Sequence, residues 1–275
     1  MRAALDGLEE EMVGASIGGV RLNNLRFADD IGLIAQQLEQ AQLLLERIDK
    51  EGSTYGQEIS EEKTEWMVTK WEKTAKPKAA ATQVSTASEG ATQKILLREK
   101  PLKQVKTFKY LGSTISANGE CMQDIRIRTA IALKSMADLQ ATWKDQGVSI
   151  KTKMRLYKSL IQPIALYGCE SWTLRQAEEN KLNAFEMSAL RKILGVKRLD
   201  KIRNEYIRAR TNCTKTIVQL VYERQHKWLG HVLRMNRARI APTVLQGKVN
   251  GKRRVGKPRT TWLKAVEERT GSFPL

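Results

Sequence analysis

The chain has 275 residues, 41% of them hydrophobic, and a formal net charge of +18, so we expect it to bury a core and to attract polyanions. It has no uncharged apolar window of about 18 residues, and its first residues, MRAALDGLEEEMVG, are acidic, which excludes a membrane-spanning helix and a secretory signal peptide. Its three cysteines, Cys121, Cys169 and Cys213, are too few and too scattered for a disulfide framework, so we expect an intracellular protein, nuclear or cytoplasmic and not secreted.

The first segment reads as two short strands followed by a helix. VRLNNLRFA predicts an extended strand ending near Phe27, and IGLIAQ predicts a second strand. Asp29 and Asp30 would then form the tip of the hairpin. Apolar residues next recur at helical spacing, and Gly52 stands where a helix-ending glycine would; the apolar positions are Leu38, Ala41, Leu44, Leu45 and Ile48.

The paired aspartates are either a solvated turn or the ligands of a cation, because two adjacent carboxylates repel each other. Oxygen ligands at a strand turn favour Mg²⁺, whose remaining ligands come from the phosphates of a substrate. Apolar strands on both sides, an aromatic residue two positions before Asp29 and a basic remainder of the chain favour the second interpretation. Asp29 and Asp30 are therefore candidate Mg²⁺ ligands.

The middle of the chain reads as strand, loop and strand. ISEEKTEWMVTKW predicts an acidic turn and a strand at 66–69. Residues 73–94 are of low complexity and predict a flexible loop. KTFKYLGSTIS then alternates as a strand does, and a turn containing Asn-Gly follows it.

The remainder predicts helices. The first of four expected helices shows helical spacing of its apolar residues, and the second covers roughly 151–167 with an interruption at Pro163. The third and fourth are expected at 177–194 and 216–235. Gly195 is the expected end of the third. The spaced apolar residues of the first are Ile127, Ile131, Ala132, Met136 and Leu139.

Several segments, in this order, resemble reverse transcriptases of LINE-type, non-LTR retrotransposons. RFADDIGLIA resembles their catalytic hairpin with its [FY]xDD motif, ISEEKTEWMVT the next palm motif, and FKYLGSTIS the primer-grip hairpin. DIRIRTAIALKSMADL, KMRLYKSLIQPIALYGCESWTL and WLGHVLRM resemble the thumb and the region after it. The resemblance covers residues 15–265 and implies RNA-directed DNA polymerisation on a template-primer of RNA and DNA with two Mg²⁺ ions.

An α+β fold is therefore expected, with a partial antiparallel palm sheet and a helix followed by a mainly α-helical thumb and C-terminal region. The expected segments are a partial palm at 1–72, a flexible loop at 73–94, a primer-grip-like hairpin at 95–120, a helical thumb-like region at 121–200 and a basic helical region at 201–275.

Site roles follow from the same resemblance. Asp29 would bind the catalytic metals, Asp30 would assist it or hold the hairpin tip, and Phe27 would pack beneath them. Tyr110, Leu111 and Gly112 would form the grip that positions the primer 3′ end, with the glycine allowing close backbone approach.

Lys63 matches the family's motif lysine, which protonates the leaving pyrophosphate. The alternative is an ordinary surface lysine beside Glu61 and Glu62.

One departure from the family pattern bears on activity. Two-metal phosphoryl transfer needs a further carboxylate, which the family carries on a palm strand well upstream of the hairpin. Only 28 residues precede Asp29, and their acids lie in a stretch that reads as a helix end. We therefore expect a C-terminal portion of a polymerase that is inactive as an isolated chain and whose Mg²⁺ binding is weak or absent without the missing palm carboxylate. The alternatives are a noncatalytic nucleic-acid-binding protein and, third, a metal-dependent nuclease built on Asp29 and Asp30.

The C-terminal region adds a basic signal of its own. Residues 201–275 hold 18 Lys and Arg against 4 Asp and Glu, whereas residues 1–65 hold 6 against 14. A Gly/Pro-containing loop, GKRRVGKPR, suits a phosphate backbone, a nuclear-import signal or a solvated loop. Its basic residues are Lys252, Arg253, Arg254, Lys257 and Arg259.

The helix predicted at 216–235 offers further candidates for the same surface. Arg224, Lys227 and Arg234 are interleaved there with Tyr222 and Trp228. We nevertheless expect Trp228, together with the leucine after it, to lie in the core.

Overall fold

The computed structural model describes residues 14–69, 94–236, 238–247 and 260–270. They form an α+β fold, as predicted. The chain divides into an N-terminal unit, made of residues 1–112, 116–119 and 236–254, and a helical unit, made of residues 113–115, 120–235 and 255–275. Residues 73–93 of the predicted flexible loop and the five basic residues at 252–259 lie outside the described residues.

The N-terminal unit begins with two antiparallel hairpins, which are formed by β1 (Ala15–Ile17) with β2 (Val20–Leu22) and by β3 (Asn24–Phe27) with β4 (Asp30–Leu33). Helix α1 (Leu38–Thr54) follows. Its Leu44 and Ile48 form a small core with Ile31, Leu33, Ala35 and Ile59.

Helix α1 does not end at Gly52, as the sequence predicted, but continues to Thr54. The hydroxyls of Ser53 and Thr54 donate to the carbonyls of Asp49 and Glu51 at 2.7 Å each. These bonds satisfy carbonyl groups of the last turn, so the helix continues past the glycine. The left-handed conformation occurs instead at Gly56, with φ 71°.

Short strands complete the N-terminal unit. β5 (Glu65–Trp66) pairs in parallel with β8 (Lys103–Gln104), and β6 (Leu96–Leu97) pairs with β7 (Lys100–Pro101). The indole of Trp66 donates to the Leu102 carbonyl at 3.1 Å. A second small core gathers around these strands and contains Leu45, Ile95, Leu97 and Leu102.

The alternation of KTFKYLGSTIS predicted a strand and the family resemblance a hairpin, and the segment forms two strands. β9 (Thr107–Tyr110) pairs with β10 (Ser113–Ser116) in a two-stranded sheet. The chain reverses at Leu111 and Gly112, whose φ angles are 47° and 82°. Two consecutive positive φ angles are typical of the tight loop that joins neighbouring antiparallel strands.

Helices form the rest of the described chain. In order they are α2 (Met122–Asp138), α3 (Gln140–Lys144), α4 (Ile150–Leu156), α5 (Gln162–Ala165), α6 (Gln176–Leu194), α7 (Asn204–Thr211), α8 (Ile217–Leu233), α9 (Ile240–Gln246) and α10 (Trp262–Thr270). Helix α9 lies in the N-terminal unit and the others in the helical unit. The predictions of α6 and α8 are confirmed, and Gly195 ends α6 with φ 70°. Among the described residues, none of the helices combines the length and apolar character needed to cross a bilayer.

One large core holds the helical unit together. Helix α2 contributes Ile125, Ala132 and Met136, which are fully buried, whereas Ile131, which the sequence placed on the same face, is 44% exposed. The buried positions, with Thr129 between them, follow one another at intervals of three and four residues. Ile131 therefore lies to one side of the buried stripe.

The interruption predicted at Pro163 lies just before that residue. A π-helical turn, Tyr157–Ile161, separates α4 from α5, and Pro163 lies in the first turn of α5. Proline has no backbone N–H, so the carbonyl of Ser159 loses the helical donor that residue 163 would supply. A single widened turn is a common way for a helix to accommodate such a loss.

All three cysteines are free thiols. Burial raises the pKa of Cys121 to about 11 and that of Cys169 to about 12. Because the thiolate is the reactive form, we expect iodoacetamide at pH 8 to alkylate Cys121 on the order of 10² times, and Cys169 on the order of 10³ times, more slowly than free cysteine. Mass spectrometry over time, with a urea-unfolded sample as the control, measures this. Alkylation of the folded chain at the unfolded rate would contradict it.

Candidate functional site

Asp29 and Asp30 lie at the end of the β3–β4 hairpin, and both are exposed. Phe27 pairs with Asp30 across the hairpin, so the two-residue loop is formed by Ala28 and Asp29. The tip is therefore one residue earlier than predicted, and Asp30 is the first residue of β4. Ala28 has φ 52°, a left-handed conformation that costs a residue with a Cβ roughly 1–2 kcal/mol.

The hairpin has a packed face and an open face, because side chains alternate along a strand and directly paired residues share a side. Ile31 and Leu33 pack against α1. The open face consists of Leu25, Phe27, Asp30 and Gly32. The expected packing of Phe27 beneath the aspartates is therefore wrong, because strand pairing directs the ring to the open face, where it is 62% exposed.

Tyr110 lies against this open face. A Cβ built on Gly32 would be 3.8 Å from Tyr110 Cε2, so the ring is within contact distance of the strand. Burial and, second, the negative charge of Asp30 raise the pKa of Tyr110. Phe108 stacks beside it, with ring centroids 6.4 Å apart. The structure thus brings Tyr110 and Asp30 together, and Gly32, which sequence reasoning missed, is marked by its position two residues after Asp30 on the same face.

Leu111 and Gly112 turn the chain directly after Tyr110. Glycine adopts a positive φ at little cost, but Leu111, with φ 47° and 38% exposure, is strained by roughly 1–2 kcal/mol. Strained residues cluster at functional sites. The end of the β9–β10 hairpin therefore has a fixed and energetically costly conformation next to the tyrosine.

Lys63 is exposed in a turn before β5. Its neighbour Glu61 pairs with Lys100 at 2.8 Å. Within the described residues, Lys63 forms no ion pair with Asp29 or Asp30. The structure therefore brings Tyr110 to Asp30, whereas Lys63 pairs with neither aspartate.

The aspartates fit a hard cation in the chemistry of their donors. Asp29 and Asp30 present carboxylate oxygens, which Mg²⁺ prefers. In the part of the chain that the structure describes, they are not joined by a third Asp, Glu, His or Cys in a metal-binding group. The hairpin thus offers two protein ligands.

The helical candidates separate into half-buried residues that contact the rest of the helical unit and exposed residues. Arg224 donates to the Leu166 carbonyl at 3.2 Å, and Tyr222 donates to Glu179 and lies 4.3 Å below the guanidinium of Arg269. Trp228, expected in the core, is 41% exposed. The buried stripe of α8 includes Val221, Gln225, Leu229 and Val232, and Trp228 lies beside it.

Comparisons with known proteins show sequence similarity to a family and to a relative. Residues 1–115 match the family model described as reverse transcriptase (RNA-dependent DNA polymerase). Over 257 residues the chain is 27% identical to a transposon-derived protein of Caenorhabditis elegans, an alignment covering 92% of this chain and 86% of that protein. No solved structure matches the chain. The matched region includes the aspartate hairpin, Lys63 and the turn at Tyr110–Gly112.

Proposed function

We propose that this chain carries the catalytic hairpin, primer grip and thumb of an RNA-directed DNA polymerase of a LINE-type, non-LTR retrotransposon. The observation that carries the proposal is the position of Tyr110 against the open face of the hairpin, beside Asp30. The aspartates and the tyrosine come from separate segments, and both fall within the reverse transcriptase match. The LINE type rests on the order of the motifs along the chain.

In this proposal, Asp29 and Asp30 hold Mg²⁺, which when bound neutralises and orients the phosphates of the incoming nucleotide. Tyr110, Leu111 and Gly112 contact the primer end. Lys63 remains the candidate proton donor to pyrophosphate. The basic residues at 252–259 contact the phosphates of the RNA and DNA template-primer. We place the protein inside the cell, in the nucleus or cytoplasm.

The second candidate is a noncatalytic nucleic-acid-binding protein that uses the thumb-like helices and the basic tail. The exposed Trp228 and the strongly basic carboxyl-terminal region favour it. Both candidates require nucleic acid as the partner, and they differ in whether Asp29 and Asp30 bind a metal.

Metal binding at the hairpin can be measured directly with Mn²⁺, a paramagnetic substitute for Mg²⁺. We expect Mn²⁺ to broaden the NMR amide signals of residues 28–31 first and those of Phe27, Gly32 and Tyr110 next, because the former hold or adjoin the two carboxylates and the latter lie on or against the same hairpin face. Joint replacement of Asp29 and Asp30 by asparagine should weaken this effect at least about tenfold, since both anionic ligands are lost.

The matched control replaces another adjacent pair of acids, Glu61 and Glu62, by glutamine, and it should leave the broadening unchanged. Equal broadening in the aspartate variant and the unsubstituted chain would contradict the metal site. Primer extension on an RNA template, for which we expect no product from the isolated chain, completes the comparison. If the unsubstituted chain does form product, and Asp29→Ala forms it on the order of 10²-fold more slowly, the expected inactivity is overturned and the polymerase assignment is supported.

A further inference from the structure

Helix α8 exposes an aromatic ring on a basic surface. Trp228 is 41% exposed and lies against His231, with ring centroids 5.5 Å apart and planes tilted by 43°. Lys227, His231 and Arg234 are exposed and follow one another at intervals of four and three residues, so they share one side of the helix. We call these four residues the Trp228 face.

The side of α8 opposite Lys227 and Arg234 is fixed in the core. Gln225 is buried and donates to the carbonyls of Cys169 and Trp172 at 3.1 and 2.7 Å. Leu229 and Val232 are also buried. These contacts hold the helix backbone in place, so the indole is presented from a rigid element and loses little freedom when it binds a ligand.

The charge of the face indicates an anionic ligand. Residues 227–235 contain no Asp or Glu, and Glu223, one turn earlier, pairs with Lys215 at 2.6 Å. Lys227 and Arg234 lie about 10 Å apart along the helix axis on the same side of the helix, and Trp228, which directly follows Lys227, lies roughly a third of a turn around the axis from both. An exposed aromatic ring beside a row of cations suits a base and its flanking phosphates.

We propose that the Trp228 face binds single-stranded RNA, with an unpaired base stacked on Trp228 and the flanking phosphates held by Lys227 and Arg234. A duplex does not fit, because its bases are already stacked on one another and cannot reach the indole. The choice of RNA over DNA rests on the proposed function, in which the template strand is RNA.

Fluorescence anisotropy of a labelled, unstructured RNA of about 20 nucleotides, titrated with the full chain, tests the proposal. Trp228→Ala should weaken binding about tenfold or more. Trp228→Phe should retain most of the affinity because it keeps a stacking ring, and Trp228→Leu should not, although it is also apolar. The control is Tyr206→Ala, which removes another exposed aromatic side chain, on α7, and should leave affinity unchanged.

The charges are tested by the salt dependence of the same binding. Joint replacement of Lys227 and Arg234 by alanine should flatten the slope of log affinity against log salt by about 1.4, the value for two lost phosphate contacts on a single strand. The charge-matched control replaces Lys181 and Lys192, both exposed on α6, and should leave the slope unchanged. Thermal unfolding of every variant checks that the fold is retained.

Several outcomes would overturn the proposal. They are wild-type affinity in Trp228→Leu, an equal loss in Tyr206→Ala, an equal loss on duplex RNA, and tighter binding of single-stranded DNA than of RNA. The assay contains no metal and no nucleotide, so its result is independent of the Mn²⁺ experiment. The variant with Asp29 and Asp30 replaced should bind this RNA normally even if the hairpin holds no metal.

Discussion

Glu186→Ala is expected to destabilise the helical unit by about 3–5 kcal/mol, because it would leave a largely buried guanidinium without its counterion. Glu186 lies on α6 with no exposed surface, and its Oε2 accepts a hydrogen bond from Arg208 Nη2 at 2.5 Å. The Arg208 side chain is only 21% exposed, so water cannot fully replace the carboxylate. Urea unfolding followed by circular dichroism measures the loss.

An exposed ion pair provides the matched control. Lys215 and Glu223 are 2.6 Å apart, but their side chains are 58% and 43% exposed, so Glu223→Ala should cost less than about 1 kcal/mol. Replacing Glu186 and Arg208 together by leucine should restore much of the stability lost in Glu186→Ala, since no unpaired charge remains. A loss in Glu186→Ala no larger than that in Glu223→Ala would contradict the argument.

The other polar neighbours of Glu186 cannot replace Arg208 as its counterion. Burial, and after it the charge of Glu186, raises the pKa of both Tyr157 and Cys213, so these neighbours stay neutral. A neutral phenol and thiol cannot take the place of the arginine. Removing Glu186 alone would therefore leave the Arg208 charge without a compensating anion.

The sequence predicted those elements whose limits are set by local chemistry. Helix α6 has Glu178 and Glu179 in its first turn, Arg191 and Lys192 in its last, and Gly195 after its end. Charges complementary to the helix dipole and a left-handed glycine fix both ends of the helix without help from the rest of the chain.

Tertiary contacts decided the features that the sequence did not predict. Glu186 lies four residues from both Leu182 and Leu190 on a buried stripe, which signals burial. Its partner Arg208, however, is 22 positions away, and no local pattern joins the two. Trp228 is the opposite case, an apolar residue that is exposed. It lies beside the buried stripe of α8, and whether such a residue is covered depends on the neighbouring elements and not on the helix itself.

The aspartate hairpin shows how far the sequence reaches into the candidate site. Alternating apolar residues predicted its two strands, whereas the position of the loop depended on the left-handed backbone of Ala28, which alanine does not signal. The approach of Tyr110 to Asp30 depends on a contact between distant segments. Only the family resemblance, and not strand periodicity, related the two residues beforehand.

Asp124→Ala should also destabilise the helical unit by about 3–5 kcal/mol, because it leaves buried donors without an acceptor. Asp124 is 2% exposed in the first turn of α2. It accepts hydrogen bonds from the Thr114 backbone N–H at 2.9 Å and the Trp172 indole at 3.0 Å, and Arg128 lies 3.8 Å away. Thermal unfolding gives the total loss, and hydrogen exchange at the Thr114 amide reports the lost contact directly.

Asp124→Asn separates the charge from the shape of this side chain. Asparagine keeps one acceptor oxygen but turns an NH₂ group toward the second donor. The stability of Asp124→Asn should therefore lie between that of the unsubstituted chain and that of Asp124→Ala. Asp138→Ala, at the exposed end of the same helix, is the control. It should be neutral or stabilise by up to about 0.5 kcal/mol, because a carboxylate at a helix C-terminus opposes the dipole. Unchanged Thr114 exchange in Asp124→Ala would mean that this carboxylate does not hold β10 in place.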